Sequence, residues 1–284
     1  MNLKGRTMLI TGATGGIGGA LARLAADRGA RLRVHGRDPQ RMETLLKTLP
    51  SGTHSLLADL STPAGRAALV EFACEGGGSD VAVLNAAGGH FGLFEQMRAS
   101  EIESLIATDL VAPMLLTHAL LPRLAPHGQG ALVLIGSTLG QIGHPGFAAY
   151  GAAKGGLRTF AEALMREIGS EGPRLLWVSP RSTRTGMNSA AARAMNAALN
   201  VAEDPPEAVA AAIVEALERG PRPGADGTGG KGIRACQRGA AGTGRQGDAG
   251  QVADDPAARR VGPWQILTEI QDEAIECGIR GIAG

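Results

Sequence analysis

The stretch FAAYGAAKGG, residues 147–156, holds the only tyrosine of the 284-residue chain, Tyr150, and a lysine, Lys154, four positions later. At the i and i+4 spacing of a helix the two side chains share one face. A free phenol, with a pKa of about 10, exchanges protons poorly near neutrality. An ammonium beside it favours the phenolate and moves its ionisation toward the working range, so the pair is a candidate acid–base device. The same residues on a solvent-facing helix would be a packed ring and a solvated charge. What else the chain brings to them decides between the two.

A second constellation lies near the start. In LITGATGGIGGALARL, Gly12, Gly16 and Gly18 stand between an apolar run and an amphipathic stretch. Glycines there let the backbone turn tightly and approach a pyrophosphate, and the helix that follows offers free N–H groups and a favourable dipole to phosphate. Position after a strand and before a helix is the context such a turn needs to bind a dinucleotide. The next strand ends in VHGRD, with Gly36 where an acidic residue would hold a ribose 2′-hydroxyl, and then Arg37. A guanidinium suits a 2′-phosphate, so NADP(H) is favoured over NAD(H); Arg33 and Arg41 are alternative sources of that charge.

The elements that must position these residues follow from the hydrophobic pattern. Six short apolar runs, at 6–11, 31–36, 53–58, 80–85, 130–136 and 173–179, read as buried strands of a sheet covered on both faces. Helical patterns lie between and after them, near 16–28, 39–48, 63–74, 100–121, 148–170 and 205–219. Asp38-Pro39, Thr62-Pro63 and Asp204-Pro205 each place a capping side chain before a first-turn proline. Alternation of this kind specifies right-handed crossovers and an α/β fold with a doubly wound parallel sheet, a Rossmann fold, over residues 1–220.

The pattern stops near Gly220. Residues 221–250 contain ten glycines and only Ile233 from the Leu, Ile, Val and Phe set, too little apolar surface to offset ordering. Residues 221–284 are therefore expected to be a low-complexity, disordered tail. An out-of-frame reading of 221–260 permits an amphipathic, helix-like sequence, so a frameshift near Gly220 to Pro221 is the other origin considered.

Apolar residues make up 44% and charged residues 19%, with a net charge of +1, which gives no basis for a nucleic-acid or anionic-membrane partner. Cys74, Cys236 and Cys277 show neither metal-ligand spacing nor a disulfide framework. No signal peptide is expected from MNLKGRTMLITG, and Pro113, His118, Pro122 and Arg123 interrupt the longest apolar reach. A cytoplasmic setting is expected.

Together these residues resemble the short-chain dehydrogenases/reductases. TGATGGIG matches the family's TGxxxGxG turn, NAAG at 85–88 the motif closing its fourth strand, and Ser137, Tyr150 and Lys154 its Ser…YxxxK arrangement. SPRSTRTGM at 179–187 is similar to the segment after its sixth strand. The resemblance spans residues 5–220 and implies hydride transfer between a nicotinamide cofactor and a carbonyl or alcohol substrate. It assigns proton transfer to Tyr150, the ribose hydroxyls to Lys154 and the substrate oxygen to Ser137. It also implies cofactor contacts from Gly12, Thr14, Gly16, Ile17, Gly18, Asp59, Leu60, Asn85, Ala86, Gly88, Pro180 and Thr185. Asp109 stands where the family often has an asparagine that supports a water leading to the lysine, and its added charge would alter the proton relay. Arg181 replaces a family glycine; an acidic substrate, the cofactor phosphates and plain solvent exposure are its alternatives. Residues 185–206 are expected to form a small apolar lid, with Met187, Met195 and Leu199 pointing to a hydrophobic ligand. The resemblance further implies a homodimer or tetramer through helices 100–121 and 148–170. The rival function is a nucleotide-binding redox sensor with little catalysis.

Overall fold

The computed structural model of the protein describes residues 1–125, 129–169 and 171–219. Six strands, β1 Thr7–Ile10, β2 Arg31–Gly36, β3 His54–Leu57, β4 Val81–Leu84, β5 Ala131–Ile135 and β6 Arg174–Val178, form one sheet in the order β3-β2-β1-β4-β5-β6. Every pairing is parallel. The chain winds outward from β1 to β3 and then crosses back to β4. The crevice beyond the carboxyl ends of β1 and β4 is thus the switch point where such sheets bind ligands.

Period-two alternation divides the central strands between two cores. Met8, Ile10, Val81, Val83 and Val133 join Leu21 of α1 (Gly16–Asp27) and Ile213 of α8 (Pro206–Glu218). Leu9, Ala82, Leu84, Leu132 and Leu134 face the other way, onto Leu69 of α3 (Pro63–Cys74), Leu116 of α5 (Ala112–Leu120) and Leu157 of α6 (Ala148–Ile168). The continuous apolar runs are those of strands buried on both faces. β3 departs from that expectation: it is an edge strand with Leu57 49% exposed, whereas β6, the other edge, keeps Leu176, Trp177 and Val178 buried.

Two of the three anticipated caps form. Asp38 accepts the Arg41 N–H at 3.0 Å at the start of α2 (Pro39–Leu46), and Thr62 accepts the Gly65 N–H at 3.0 Å at the start of α3. Asp204 does not cap α8, whose capping position is Pro205; its carboxylate binds Arg181 at 2.7 and 2.8 Å.

The single helix expected over 100–121 is interrupted. α4 (Ala99–Ile106) passes through a π-helical turn at Ala107–Val111 into α5. Pro113 has no N–H to give the Asp109 carbonyl, and the widened turn absorbs that missing bond. By length and composition alone the run Ala99–Arg123 could cross a membrane, but 44% of its most apolar window is buried in the fold, where α5 packs on α3 and α6.

The expected lid contains α7 (Ala190–Ala198), capped by Ser189, which accepts the Ala192 N–H at 3.1 Å. Its two ends are drawn together by a parallel bridge between Thr183 and Asp204 and by the Arg181–Asp204 ion pair. The tail expected from residue 221 onward lies outside the described residues.

Candidate active site

The glycine turn is shaped by close approach. Gly12 has φ +64°, and a Cβ there would lie 2.8 Å from the Ala86 Cα. A Cβ on Gly18 would lie 2.4 Å from the Gly12 carbonyl oxygen, and one on Gly16 would lie 2.6 Å from Thr185 Cγ2. No side chain caps the N-terminus of α1, so its first N–H groups remain available to an anion. Asn85 braces the turn by donating to the Thr11 and Gly12 carbonyls at 3.0 and 3.2 Å.

From this turn a cavity of about 1120 Å³ runs along the carboxyl ends of the strands to Tyr150. It brings together Gly12, Thr14, Gly16, Ile17, Arg37, Asp59, Leu60, Asn85, Ala86, Gly88, Ser137, Tyr150, Lys154, Pro180 and Thr185. Two sequence candidates are not on its wall. Gly18 sits beneath the turn, where only a hydrogen fits, and Asp109 is fully buried behind Gly88.

At the outer end, Arg37 is exposed and Arg41 donates to the Thr14 carbonyl at 2.8 Å; both line the cavity. Arg33 does not. It is buried against α3, where its guanidinium donates to the Phe72 carbonyl and stacks 5.4 Å from the Phe72 ring centre. A Cβ on Gly36 would lie 2.7 Å from Thr14 Cγ2, so the strand tip has no room for an acidic side chain as it stands. Asp59 accepts the Ser61 N–H at 2.9 Å, and that bond holds its carboxyl below the usual range.

At the inner end, Ser137 follows β5 and its hydroxyl accepts the Leu139 N–H at 3.2 Å. Tyr150 and Lys154 rise from α6, 7% and 2% exposed. Lys154 Nζ lies 5.7 Å from the Tyr150 ring centre, 3.4 Å from the Ile135 carbonyl it donates to, and 3.2 Å from Asp109 Oδ2. Burial raises the phenol's pKa above its ordinary value; the ammonium pulls it down, Asp109 raises it, and the Ser137 hydroxyl lowers it. Burial opposes charge on Lys154, yet the Asp109 carboxylate and the phenol hold its pKa above normal. Burial pushes the Asp109 carboxyl up, against the pull of Lys154 and the Gly88 N–H.

Some participants were not singled out from the sequence. The Thr11 hydroxyl donates to the Val83 carbonyl at 3.3 Å and accepts the Asn85 and Ala86 N–H groups at 2.9 and 3.0 Å, tying β1 to the end of β4. His35 accepts the Gly12 N–H at its Nδ1 and meets the Ala58 carbonyl with Nε2 at 3.0 Å. A polar residue inside or closing an otherwise apolar strand was the available signal for both. Phe91 and Phe147, with ring centres 5.0 Å apart, line the cavity, and Phe147 lies 6.2 Å from the Tyr150 ring. Met187 and Met195 line it as expected; Leu199 does not and is 58% exposed.

The residues present fit a nicotinamide dinucleotide: a glycine cradle that any Cβ would fill, a free helix N-terminus, and an elongated cavity ending at a buried phenol and ammonium. Residues 6–196 match the short chain dehydrogenase family. The 3-oxoacyl-[acyl-carrier-protein] reductase FabG of Vibrio cholerae is 31% identical over 191 residues, covering 67% of this chain and 78% of the relative. A short-chain dehydrogenase from Sphingobium yanoikuyae, solved in complex with NADPH, superposes with a TM-score of 0.67 at 31% identity, over 75% of this chain and 84% of the other. A short-chain dehydrogenase from Burkholderia cenocepacia, solved with NADP, gives a TM-score of 0.69 at 26% identity, over 83% and 96% of the two chains. On the site geometry and these matches together, the chain belongs to the short-chain dehydrogenase/reductase family and is an oxidoreductase that uses a nicotinamide cofactor.

Proposed function

We propose that the protein is an NADP(H)-dependent oxidoreductase acting on an apolar carbonyl/alcohol pair, with Tyr150 as its general acid and base. The observation that carries this is the convergence of Ser137, Tyr150 and Lys154 at one end of the cavity that begins at the glycine turn. When bound, the nicotinamide supplies the hydride to the carbonyl carbon, or takes it from the alcohol. The chain's own part is to bind, orient and move a proton. Ser137 and the phenol both offer hydrogen bonds to a substrate oxygen, fixing the carbonyl for attack. Tyr150 gives its proton to that oxygen in reduction and takes one back in oxidation. Lys154 stabilises the phenolate left behind and offers its N–H groups to ribose hydroxyls. Gly12, Gly16 and the α1 N-terminus take the pyrophosphate, with Gly18 packing the turn that presents them.

Preference for the 2′-phosphate is supported by Gly36, which leaves no acid at the β2 tip, and by Arg37 and Arg41 on the cavity wall. Asp59, Leu60, Asn85, Ala86, Gly88, Pro180 and Thr185 line the path of the cofactor between its two ends. Phe91, Phe147, Leu139, Met187 and Met195 make the substrate end apolar. A homodimer is supported by Val111, Met114 and Leu115, which are 38%, 38% and 47% exposed on the helical run after Asp109.

Tyr150→Phe is the test. It should lower turnover of apolar ketones by about 100-fold or more while leaving NADPH binding, read by fluorescence titration, within a few fold. Full turnover in this variant would remove Tyr150 from the reaction.

A further inference from the structure

Asp109 is 0% exposed, stands outside the cavity wall and is used in no step above. One carboxylate oxygen accepts the Gly88 N–H at 2.6 Å. The other has no well-directed donor among the described residues and stands 3.2 Å from Lys154 Nζ. The ammonium that would ease ionisation of the phenol is therefore shared with a carboxylate. Opposite charges set close together largely cancel at a third group, and with Lys154 2% and Asp109 0% exposed, solvent screens this pair little.

We propose that Asp109 is a positioning residue that biases the site toward carbonyl reduction: paired directly with Lys154, its carboxylate offsets the ammonium's charge at Tyr150 and keeps the proton on the phenol. The proton-donating form then persists well above neutrality, while oxidation, which needs the phenolate, is confined to more alkaline conditions. This rests on Tyr150 being the proton donor of the proposed reaction.

The groups facing the phenol come from three elements. Lys154 is on its own helix, Asp109 on the π turn between α4 and α5, and the Ser137 hydroxyl after β5. His90 and His144 line the same cavity from neighbouring loops, and Arg181 is held by Asp204. Asp109 is the acidic side chain that acts on the phenol.

Because Tyr150 is the only tyrosine in the chain, its ionisation can be read directly as tyrosinate absorbance in the near ultraviolet. The full-length protein is titrated with base, and far-ultraviolet circular dichroism at each pH confirms that it remains folded. Asp109→Asn, which keeps an acceptor for the Gly88 N–H, and Asp109→Ala, which does not, should both lower the midpoint by about one pH unit or more. An unchanged or higher midpoint in either variant overturns the proposal. So does a wild-type midpoint at or below the ordinary value of about 10, which needs no variant. The titration uses neither cofactor nor substrate, so a failed ketone screen would sink the proposed function and leave this result standing. With ketone turnover in hand, the alkaline limb of reduction should move down by the same amount in Asp109→Asn.

Discussion

Replacing Lys154 with methionine keeps an unbranched apolar stem and removes the charge, which leaves Asp109 buried with only the Gly88 N–H beside it. Breaking a buried pair in this way costs about 3–5 kcal/mol, because the remaining charge is uncompensated. A second route bounds that cost. Asp109 can escape by taking a proton, at about 1.4 kcal/mol for each pH unit above its ordinary value of 3.8, or about 4.4 kcal/mol at pH 7. The two figures agree at neutrality, but only the second depends on pH. The loss of stability relative to wild type should therefore shrink by up to about 1.4 kcal/mol per pH unit, to about 1.6 kcal/mol at pH 5. Urea unfolding followed by circular dichroism at pH 5, 6 and 7 measures it. The double variant Lys154→Met/Asp109→Asn, with no charge left to bury, should recover most of the loss and show no such slope. A loss independent of pH, or a double variant no more stable than the single one, would refute the ionic account of this pair.

Arg37→Glu should weaken NADPH binding about 10-fold or more and leave NADH binding nearly unchanged, as competitive fluorescence titrations would show. Equal effects on both cofactors would move the 2′-phosphate contact elsewhere, with Arg41 the next cation on the wall. Burial lowers the pKa of His35 from 6.5, so between its folded value and 6.5 the fold binds fewer protons than the unfolded chain. The stability this confers is complete above 6.5 and is lost as the pH falls below it, by up to about 1.4 kcal/mol per pH unit. His35→Gln should flatten that part of the wild-type stability profile in urea unfolding; an identical acid slope would clear His35.

The motifs were legible in the sequence because each is local. A turn needs its glycines within seven residues, Tyr150 and Lys154 need one helical turn, and each central strand announces its burial by an unbroken apolar run. The caps of α2 and α3 are equally local, made by Asp38 and Thr62 to N–H groups three residues on. What local spacing could not decide was the partner of a side chain that reaches across the fold. Asp204 had the sequence of a cap but lies beside Arg181, and the ion pair won its carboxylate. Arg33 and Arg37 sit on one strand and the loop that follows it, yet Arg33 points to the end of α3 and Arg37 to the cavity. β3 and β6 read as equally buried runs and both end the sheet, yet the fold covers Trp177 and Val178 of β6 and leaves Leu57 of β3 exposed.

Asp109 is the sharpest case. Its sequence marked a departure from a familiar pattern and nothing more. The crossovers that bring the π turn, the end of β4 and α6 together place its carboxylate between the Gly88 N–H and the Lys154 ammonium. Forty-five residues separate Asp109 from Lys154 along the chain. Local spacing determined which groups can do the chemistry, and tertiary packing decided which charge each of them meets, because in a buried site that depends on distances of a few ångströms between elements far apart in sequence.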